Sequence, residues 1–590
     1  MTNYSEQVCD WLIEEGYTHC FFVAGGNIMH LLNSARSKFK CIPVVHEVAA
    51  GIACEYFNET SSKHKAFVLV TAGPGLTNLV TAIAGAWLES RELLILGGQV
   101  KSSDLSDGKV RQNGIQEING MDICKPITKK SIQIRKPISK KDFIEVVQQT
   151  YTGRPGPVYF EFCLDAQAAK PVEETNAQVK KLSASNKSVD IDATLTLMNA
   201  SCRPVILIGG GVSREIFNGY KPLFNDLKIP IMTTWNGIDR IDARDNLYWG
   251  RPNTWGQRYS NILIQQSDLI IALGSRLGIQ QTGFNWKFFA PLAKIIQVDV
   301  DINEIQKGHP KVDLGIHNTV ENFLLELKNN TEKIHLQDLS EWIDFGKKVK
   351  QAIPLNEDSN KTNPHFVSPY LFIEELSKIC KQDDIVIPCS SGGAFTTTMQ
   401  AFSQKLGQKI VSNKGLASMG YGLAGSIGAS YANPGKRVVL IEGDGGFAQN
   451  IQELGSVSVS NLPIKIFIYS NMGYASIKMT QLNYFQGSYI GCDISTGLGL
   501  PKKWKILFES FGIETIQLEC KDIFSPRVRE KFENMSPVAF IVPIDPDQTY
   551  FPKITSTVLE NGQMESNPLH LMSPALTSSL EKEVFKYLKI

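Results

Sequence analysis

A carboxylate within a glycine-rich turn is the strongest chemical signal in this sequence. Residues 443–446 read Gly-Asp-Gly-Gly; they follow the apolar run RVVLIE and precede a segment with helical spacing. Glycines let the backbone approach an anion closely, and the free N–H groups at the start of a helix attract negative charge. Because Asp444 is itself an anion, a phosphate bound here would need a cation between the two. The turn therefore predicts a magnesium ion that bridges Asp444 and a phosphate group.

Asn471 extends this predicted metal site. The next apolar run, IKIFIYSN (464–471), ends at Asn471, whose amide oxygen is a hard ligand, and the carbonyl of Gly473 in the following turn is another. Neighbouring parallel strands bring their carboxyl ends to one edge of a sheet, so these oxygens are expected near Asp444. An alternative for the same residues is an ordinary strand–helix turn in which Asp444 caps the helix.

Short apolar runs that end in glycine indicate the fold that would position these residues. They are rich in β-branched residues and each is followed by a helix-like segment; examples are HCFFVAGG (19–26), KAFVLVTAGPG (65–75), PVILIGGG (204–211) and KRVVLIEGDGG (436–446). Apolar runs without polar alternation are typical of parallel strands covered on both faces. We predict an α/β fold of three doubly wound parallel-sheet domains.

Two polar stretches divide the chain. Residues 165–188 have the composition of a linker, and the charged stretch 328–364 is predicted to cross between domains. The predicted domains are therefore 1–165, 186–328 and 365–590, the last of which includes the C-terminal tail.

Composition excludes several classes of protein. The 590 residues carry 60 Lys+Arg against 59 Asp+Glu, so a net charge of +1 provides no field for general binding of nucleic acid or an anionic membrane. The 11 cysteines are scattered without a C-x-x-C pair, which indicates reduced thiols in a cytoplasmic protein. The uncharged stretch 415–435 contains six glycines and few large apolar side chains, so a membrane span is not expected.

Several segments together resemble the acetolactate (acetohydroxyacid) synthase branch of the thiamine diphosphate (ThDP) enzymes. The Gly-Asp-Gly turn followed at this spacing by Asn471 resembles the diphosphate and metal motif of that family. TAGPGLTNLVTAIAGAW (71–87), GRPGPV (153–158) and KGLASMGYGLAGSIGAS (414–430) resemble other segments of the branch. The resemblance implies that the three predicted domains are, in chain order, pyrimidine-binding, central and diphosphate-binding domains.

The resemblance implies catalytic roles for three residues. Glu47 occupies the position of the family's signature glutamate, which hydrogen-bonds N1′ of the cofactor's aminopyrimidine so that the imino tautomer removes the thiazolium C2 proton. Gln99 and Gln116 correspond to two glutamines that line the acetolactate synthase site near the reacting carbon. From the residues alone, a glutamate at a helix start is an ordinary cap and a glutamine is an ordinary surface or turn amide.

The resemblance also implies the remaining contacts of the cofactor. Met419 matches the bulky apolar residue that enforces the V-shaped conformation of ThDP; outside the family context it is packing filler. Asp444, Asn471 and the Gly473 carbonyl match the ligands of Mg²⁺, with diphosphate oxygens and a water completing six-coordination. The implied cofactor-binding residues are Gly25, Pro74, Asn78, Gly392, Gly393, Ala394, Met419, Gly443, Asp444, Gly445, Gly446, Asn471 and Gly473.

The sequence departs from the family where the second substrate and a flavin would bind. Gln280 stands at the position of the substrate-selecting arginine and Thr480 at that of a tryptophan, although Arg276 matches. Loss of a carboxylate clamp and an aromatic wall weakens recognition of a second 2-oxo acid, which argues against a housekeeping role in branched-chain amino-acid synthesis. The FAD contact GMHG is replaced by GRPNTWGQ (250–257) while IGGG (208–211) remains, so FAD is left open.

The implied reaction is ThDP- and Mg²⁺-dependent decarboxylation of a 2-oxo acid, with pyruvate the expected donor. The acyl carbanion equivalent is then transferred to a carbonyl acceptor, left open between an aldehyde, another 2-oxo acid and a keto-sugar. The alternatives are a simple 2-oxo acid decarboxylase, for example of phosphonopyruvate type, and a true acetolactate synthase catalytic subunit. The region after Gln99 lacks the paired histidines of pyruvate decarboxylases, which disfavours simple decarboxylation to acetaldehyde.

The resemblance further implies a homodimer or homotetramer with active sites at the subunit interface. The near-zero net charge argues against a nucleic-acid or membrane partner. Two readings lie outside this chemistry. A nicotinamide-dependent oxidoreductase would need G-x-G-x-x-G at a strand end with an acid about twenty residues onward, which VILIGGG (205–211) does not provide. A catalytically silent binding subunit is disfavoured because Glu47, Asp444 and Asn471 are all present.

Overall fold

Two compact units make up the structure, a computed structural model that describes residues 3–173, 189–558 and 564–588. Among the described residues, unit 1 comprises residues 3–173, 383–395 and 411–546, and unit 2 comprises residues 189–382, 396–410, 547–558 and 564–588. Most of the predicted linker, residues 174–188, lies outside the described residues.

The first sheet of unit 1 is built from the N-terminal part of the chain. Its strands are β1 (Tyr17–Phe22), β2 (Lys40–Pro43), β3 (Lys65–Val70), β4 (Leu93–Gln99), β5 (Lys130–Ile134) and β6 (Pro157–Cys163). The helices are α1 (Tyr4–Glu14), α2 (Met29–Ala35), α3 (Glu47–Thr60), α4 (Pro74–Glu89), α5 (Gly120–Cys124), α6 (Lys140–Val147) and α7 (Leu164–Ala168). All pairs are parallel, in the order β2-β1-β3-β4-β6-β5. Every residue of β4 and β6 is buried, as expected for strands covered on both faces.

The central sheet of unit 2 is also parallel, in the order β11-β10-β9-β7-β8. Its strands are β7 (Pro204–Ile208), β8 (Ile231–Thr233), β9 (Leu269–Leu273), β10 (Lys294–Asp299) and β11 (Leu314–His317). The helices of this part are α8 (Ile191–Ala200), α9 (Arg214–Leu227), α10 (Arg258–Gln266), α11 (Ile279–Thr282), α12 (Ile302–Gln306), α13 (Val320–Asn329), α14 (Ser340–Ala352) and α15 (Pro369–Ile379).

The stretch 328–364, predicted to cross between domains, lies instead within unit 2. It contains α14, whose Trp342, Phe345 and Val349 are buried in a cluster with residues of the central sheet. These apolar residues recur at helical spacing among charged ones, so they form one apolar face of α14. That face packs in the core of unit 2 although the segment is highly charged overall.

The third sheet is built from the C-terminal part of the chain. Its elements, in chain order, are β12 (Ile385–Ile387), α16 (Gly392–Ala401), β13 (Lys409–Ile410), α17 (Tyr421–Ala432), β14 (Val438–Gly443), α18 (Asp444–Phe447), α19 (Leu454–Val459), β15 (Ile464–Ser470), α20 (Ala475–Phe485), α21 (Trp504–Ser510), β16 (Glu514–Gln517), α22 (Pro526–Glu533) and β17 (Val538–Pro543). In unit 1 the strand order is β12-β14-β15-β17-β16, and all these pairs are parallel. A 3₁₀ helix, Ala448–Glu453, joins α18 to α19.

The glycine-rich, uncharged stretch 415–435 has a packing role. It contains α17, which lies against α3, and buried residues of both helices belong to one core cluster. A Cβ atom on Gly428 would overlap the carbonyl oxygen of Ala53, and one on Gly425 would lie 2.6 Å from the ring of Tyr56. Small residues are therefore needed for the two helices to approach each other.

The C-terminal tail, placed with the third domain from sequence, packs in unit 2. Its elements are β18 (Lys553–Ile554), β19 (Ser556–Val558), β20 (Met564–Ser566), β21 (Met572–Ser573) and the helix α23 (Ser578–Val584). The backbone N–H of Ile554 donates to the carbonyl of Thr254 at 2.9 Å. Val584 and Phe585 are buried in the same cluster as Trp342 of α14, which explains how the tail is anchored.

Candidate active site

Glu47 is the first residue of α3, just beyond the carboxyl end of β2. Its side chain is only 9% exposed, and Nδ2 of Asn78 on α4 donates to Glu47 Oε2 at 3.0 Å. The structure thus brings together the predicted catalytic glutamate and the predicted cofactor residue Asn78. Because Oε2 is held by the amide, Oε1 is the oxygen available for a further hydrogen bond.

Three other predicted residues of this part lie around the turn that follows β3. A Cβ atom on Gly25 would overlap the side chain of Thr71, so this glycine permits close packing of two turns. Gly73 has φ +62, and a Cβ atom there would lie 2.7 Å from the carbonyl oxygen of Gln116. Gln116 is exposed with φ +65, and Pro74 is exposed at the first turn of α4. The loop that carries Gln116 therefore packs directly on the glycine-rich turn.

Gln99 ends β4 and is only 1% exposed. Its Nε2 donates to the carbonyl of Ile118 at 2.8 Å, and its Oε1 accepts the N–H of Val100 at 2.9 Å. The amide also hydrogen-bonds the buried carboxyl of Glu161, whose pKa is raised mainly by burial. These contacts fix the loop after β4; a role of Gln99 at the reacting carbon stays a prediction.

Asp444 follows β14 and its carboxylate is buried, with 1% exposure. Oδ1 accepts the N–H of Gly445 at 2.8 Å, and Oδ2 accepts those of Asn471 and Met472 at 3.1 and 2.8 Å. Burial raises the pKa of Asp444 to about 7, and these N–H groups partly oppose that rise. The turns after β14 and β15 therefore meet at this carboxylate.

Oxygen atoms of three residues converge beside this turn. The side-chain oxygen of Asn471 lies 3.1 Å from Asp444 Oδ1 and 3.0 Å from the carbonyl oxygen of Gly473. Oxygens at this distance repel each other, whereas neighbouring ligands about 2.1 Å from an octahedral Mg²⁺ are about 3.0 Å apart. Without a cation, turning the Asn471 amide by 180° would let its nitrogen donate to both oxygens. The three predicted ligands fit a magnesium ion.

The glycines around this turn do not share one role. A Cβ atom on Gly443 or Gly392 would have no neighbour within 4 Å, so both positions leave open space beside the backbone. At Gly446 it would lie 3.9 Å from Cβ of the half-buried Met419, which places the predicted cofactor-shaping residue against the turn. At Gly445 it would lie 2.5 Å from the ring of Tyr474, so that glycine is required by packing within the chain.

Gly393 and Ala394 lie in the first turn of α16, after β12. The strand ends that lead to Gly392, Asp444 and Asn471 belong to β12, β14 and β15, which are adjacent in the sheet. In parallel α/β sheets, ligands bind at such carboxyl ends. All three predicted segments of the diphosphate site therefore lie along one edge.

Sequence reasoning missed Glu442, the residue before Gly443. Its carboxyl is buried, which raises its pKa to about 8, and the N–H groups of Gly420, Gly422 and Leu423 oppose that rise. The carboxyl thus lies against the start of α17, close to Gly422 and just after Met419 in the chain. The available signal was a charged residue closing the apolar run RVVLIE.

Gln280 and Thr480, the two residues that differ from the family at the predicted site of the second substrate, are both exposed. Thr480 on α20 is exposed and its hydroxyl donates to the carbonyl of Ser476 at 3.0 Å. Gln280 on α11 is exposed, and Arg276 is half-buried. The inference that a second 2-oxo acid is poorly recognised stays a prediction.

Several buried polar side chains of unit 2 carry an atom that has no hydrogen-bond partner within the chain. Thr233 Oγ1, Asn253 Nδ2, Gln281 Oε1 and Gln297 Oε1 are buried without a hydrogen-bond partner. Asn253 belongs to the segment that replaces the family's FAD contact. Buried polar groups of this kind call for water or a ligand, so FAD stays a prediction.

Comparison with known proteins identifies three matching domains. The thiamine pyrophosphate enzyme N-terminal TPP binding domain matches residues 2–123, the central domain matches residues 191–327, and the C-terminal TPP binding domain matches residues 391–542. These matches fall on the first, central and third sheets, and confirm the predicted fold of three parallel α/β domains.

Similar proteins include acetolactate synthase large subunits. The chain is 29% identical over 562 residues to the probable acetolactate synthase large subunit of Methanocaldococcus jannaschii, covering 92% of each chain. It is 28% identical over 559 residues to the acetolactate synthase isozyme 1 large subunit of Escherichia coli, covering 93% of this chain and 95% of that one. Within the described residues, no helix is both long and apolar enough to cross a bilayer.

These findings confirm the predicted enzyme class. The three matched domains together span more than half of the chain, and its relatives extend over nearly all of it. The protein is an enzyme that acts on 2-oxo acids and binds thiamine diphosphate. The chain belongs to the thiamine pyrophosphate enzyme family, in its acetolactate synthase-like branch.

Proposed function

We propose that the protein decarboxylates a 2-oxo acid, with pyruvate the expected donor, and transfers the acyl carbanion equivalent to a carbonyl acceptor, using ThDP and Mg²⁺. The observation that carries this proposal is the position of the Asn471 side-chain amide, 3.1 Å from Asp444 Oδ1 and 3.0 Å from the carbonyl oxygen of Gly473. This spacing suits neighbouring ligands of Mg²⁺ when the amide oxygen faces the ion. Family membership makes ThDP the cofactor whose diphosphate such an ion would hold.

The residues around the turn after β14 would hold the diphosphate end of the cofactor. Asp444, Asn471 and the Gly473 carbonyl would bind the metal, and the open space at Gly443 leaves room for phosphate oxygens beside the backbone. Met419 borders the turn and would contact the cofactor with its apolar side chain. ThDP supplies the nucleophilic carbon and the electron sink for decarboxylation.

Glu47 would act on the proton of the aminopyrimidine end. Asn78 fixes one carboxyl oxygen, so the other can hydrogen-bond N1′ and exchange a proton with it. The low exposure of Glu47 excludes bulk water from that hydrogen bond. Gln116, next to Gly73, is the predicted glutamine with a side chain free to approach the substrate.

Replacement of Glu47 by Gln tests this proposal. Calorimetry should show that wild type and Glu47→Gln both bind ThDP with Mg²⁺, while turnover of the variant falls about 10²- to 10⁴-fold because the proton relay is lost. Glu59→Gln, a change at the other end of α3, is the matched control and should keep wild-type turnover. Absence of ThDP binding to the wild type, or near-normal turnover of Glu47→Gln, would contradict the proposal.

The acceptor is proposed to be an aldehyde or a keto-sugar. Gln280 and Thr480 support this choice, since neither offers the bidentate clamp or aromatic surface suited to a second 2-oxo acid. Product masses after incubation with pyruvate and candidate acceptors test it. Rapid formation of acetolactate would instead favour a true acetolactate synthase, and release of the free aldehyde alone would favour a simple decarboxylase.

We also propose a homodimer or homotetramer in the cytoplasm. Exposed apolar side chains flank both parts of the site: Val45 beside Glu47 is 57% exposed and Met472 beside Asn471 is 54% exposed. Such side chains are expected to be covered in an assembly. Light scattering with and without Mg²⁺–ThDP tests the assembly, and the visible absorbance of the purified protein tests for FAD.

A further inference from the structure

Glu453 is a buried carboxylate that the proposed reaction does not use. It is the last residue of the 3₁₀ helix Ala448–Glu453 and has no exposed surface. Its Oε1 accepts the backbone N–H groups of Val45 at 3.1 Å and His46 at 3.0 Å. Its Oε2 accepts the hydroxyl of Ser456 at 2.7 Å and lies 3.3 Å from the N–H of Val45.

The two amides bound by Glu453 belong to the turn that delivers Glu47. His46 is the N-cap of α3, with extended backbone at φ −135 and ψ 140, and its own side chain does not cap the helix. The N–H groups before Glu47 are therefore held from another part of unit 1 and not by a local cap. Hydrogen bonds to an ionised carboxylate are about twice as strong as neutral ones, which suits this contact to fixing a turn.

Burial of the Glu453 carboxylate costs free energy because it removes the charge from water, and apolar packing does not offset that cost. Burial raises its pKa, and the groups that face it and oppose that rise are the Ser456 hydroxyl, the N–H groups of Val45 and His46, and the His46 imidazole. An apolar side chain would fill the same volume without desolvating a carboxylate. The hydrogen bonds to the turn are the compensating gain.

We propose that Glu453 is a positioning residue for Glu47, an inference that rests on the proposed function. It fixes the Val45–His46 turn, and through it the orientation of the Glu47 carboxylate. Glu453 lies in one run of helical elements with Asp444, the first residue of α18. The segment that begins with the predicted metal ligand therefore also holds the turn of the predicted proton relay.

Three variants separate this role from a merely structural one. Glu453→Ala removes the acceptor, whereas Glu453→Gln keeps an amide oxygen that can still accept both N–H groups. Ser456→Ala is the matched control, because it removes a donor to the same carboxylate without touching the bonds to Val45 and His46. Hydrogen exchange of the Val45 and His46 amides is measured in the cofactor-free protein. ThDP affinity and the exchange rate of its C2 proton are then measured with Mg²⁺.

We expect Glu453→Ala to speed exchange of the two amides at least tenfold and to slow C2 exchange at least tenfold. ThDP affinity should change less than threefold, because the metal ligands are intact. Glu453→Gln should show the same changes to a smaller extent, and Ser456→Ala should stay within twofold of wild type. If Glu453→Ala does not fold, the same comparison is made with Glu453→Gln, for which unchanged amide exchange overturns the inference.

The outcomes distinguish this inference from the proposed function. Wild-type C2 exchange in a folded Glu453→Ala protein that binds ThDP overturns the inference alone. Loss of affinity in proportion to loss of C2 exchange also overturns it, since that pattern indicates a general structural role. Absence of ThDP binding to the wild type overturns the proposed function, while the amide exchange of the cofactor-free protein still decides whether Glu453 holds the turn.

Discussion

The third sheet and the central sheet both end strands in glycine-rich turns, but the two turns are built differently. At the end of β14, Gly443 faces open space, and the following Asp444 meets the side-chain amide of Asn471. After β7, a Cβ atom on Gly209 would overlap the carbonyl of Gly274, which follows β9. One glycine leaves the backbone accessible to a ligand; the other lets two strand ends of the same sheet approach each other.

The difference shows what a glycine run in a sequence establishes. It indicates that something must approach the backbone closely, and this can be a ligand or another part of the chain. The distinguishing feature of the third sheet is the acid inside the turn, Asp444, together with an amide, Asn471, at the next strand end. The motif predicts a ligand because of its polar partners and not because of its glycines.

The largest expected effect is the loss of cofactor binding in Asp444→Ala. The predicted metal would lose its only charged protein ligand, so ThDP affinity in the presence of Mg²⁺ should fall at least about 10³-fold, or about 4 kcal/mol. The matched control is Asp299→Ala at the carboxyl end of β10 in the central sheet, which should keep affinity within threefold. Calorimetry on both variants measures this, and equal losses would remove the distinction between the two sheet edges.

Gly209→Ala should mainly affect stability. The added methyl group would collide with the Gly274 backbone, which cannot move aside as a flexible side chain can, so the free energy of unfolding should fall by about 3 kcal/mol. Gly210→Ala is the control. Its Cβ would come closest to Asn236 Cβ, at 3.1 Å, without overlapping the backbone, so the change should cost about 1 kcal/mol. Urea unfolding measures both, and equal stabilities would show that the close packing at Gly209 is not required.

Gly443→Ala, in contrast, should mainly affect cofactor affinity and leave stability nearly unchanged. The added methyl group meets no atom of the chain, and φ at this position is −79, so stability should change by less than about 1 kcal/mol. Affinity for ThDP should fall about tenfold, because the methyl group occupies the space assigned to the diphosphate. Unfolding and calorimetry of the same preparation give both values. Unchanged affinity would show that the ligand does not approach the backbone here.

Local signals in the sequence were sufficient to predict where the strands that form these sheet edges end. The apolar run before Asp444 was predicted to end at Glu442, and β14 ends at Gly443; the next was predicted to end at Asn471, and β15 ends at Ser470. A buried parallel strand needs a continuous apolar run, and that run is visible within a few residues. The residues placed just beyond these ends could be named for the same reason.

Contacts between distant segments left no such signal. Glu453 is separated from Val45 by 408 positions, and neither residue indicates the other. The tail's place in unit 2 and the enclosure of the Gln99 amide by Ile118 and Val100 likewise depend on tertiary packing. Periodicity reports which residues are buried, but not which group each buried polar atom will meet.

The smallest expected effect concerns the stability contributed by a buried lysine in β15. This lysine lies near the start of the strand, whereas the predicted metal ligand Asn471 follows its end. Lys465 is fully buried, and its Nζ donates to Asn534 Oδ1 at 2.6 Å and to the carbonyl of Ser536 at 2.5 Å. Its pKa is lowered to about 7, chiefly by burial and further by Arg437. Its polar partners are therefore supplied by the chain itself, and no ligand is required.

The pH dependence of stability tests this assignment. An unfolded lysine keeps its proton up to about pH 10, whereas folded Lys465 loses it above about pH 7, so the wild type should gain stability as the pH rises. Relative to Lys465→Met, we expect a gain of about 1 kcal/mol in unfolding free energy between pH 7 and 8, with or without Mg²⁺–ThDP. Lys505→Met, at an exposed lysine of α21, should show no such difference between the two pH values. A gain in stability that appears only with Mg²⁺–ThDP would show that Lys465 is coupled to the ligand site. The start of β15 would then not differ from its end in depending on a ligand.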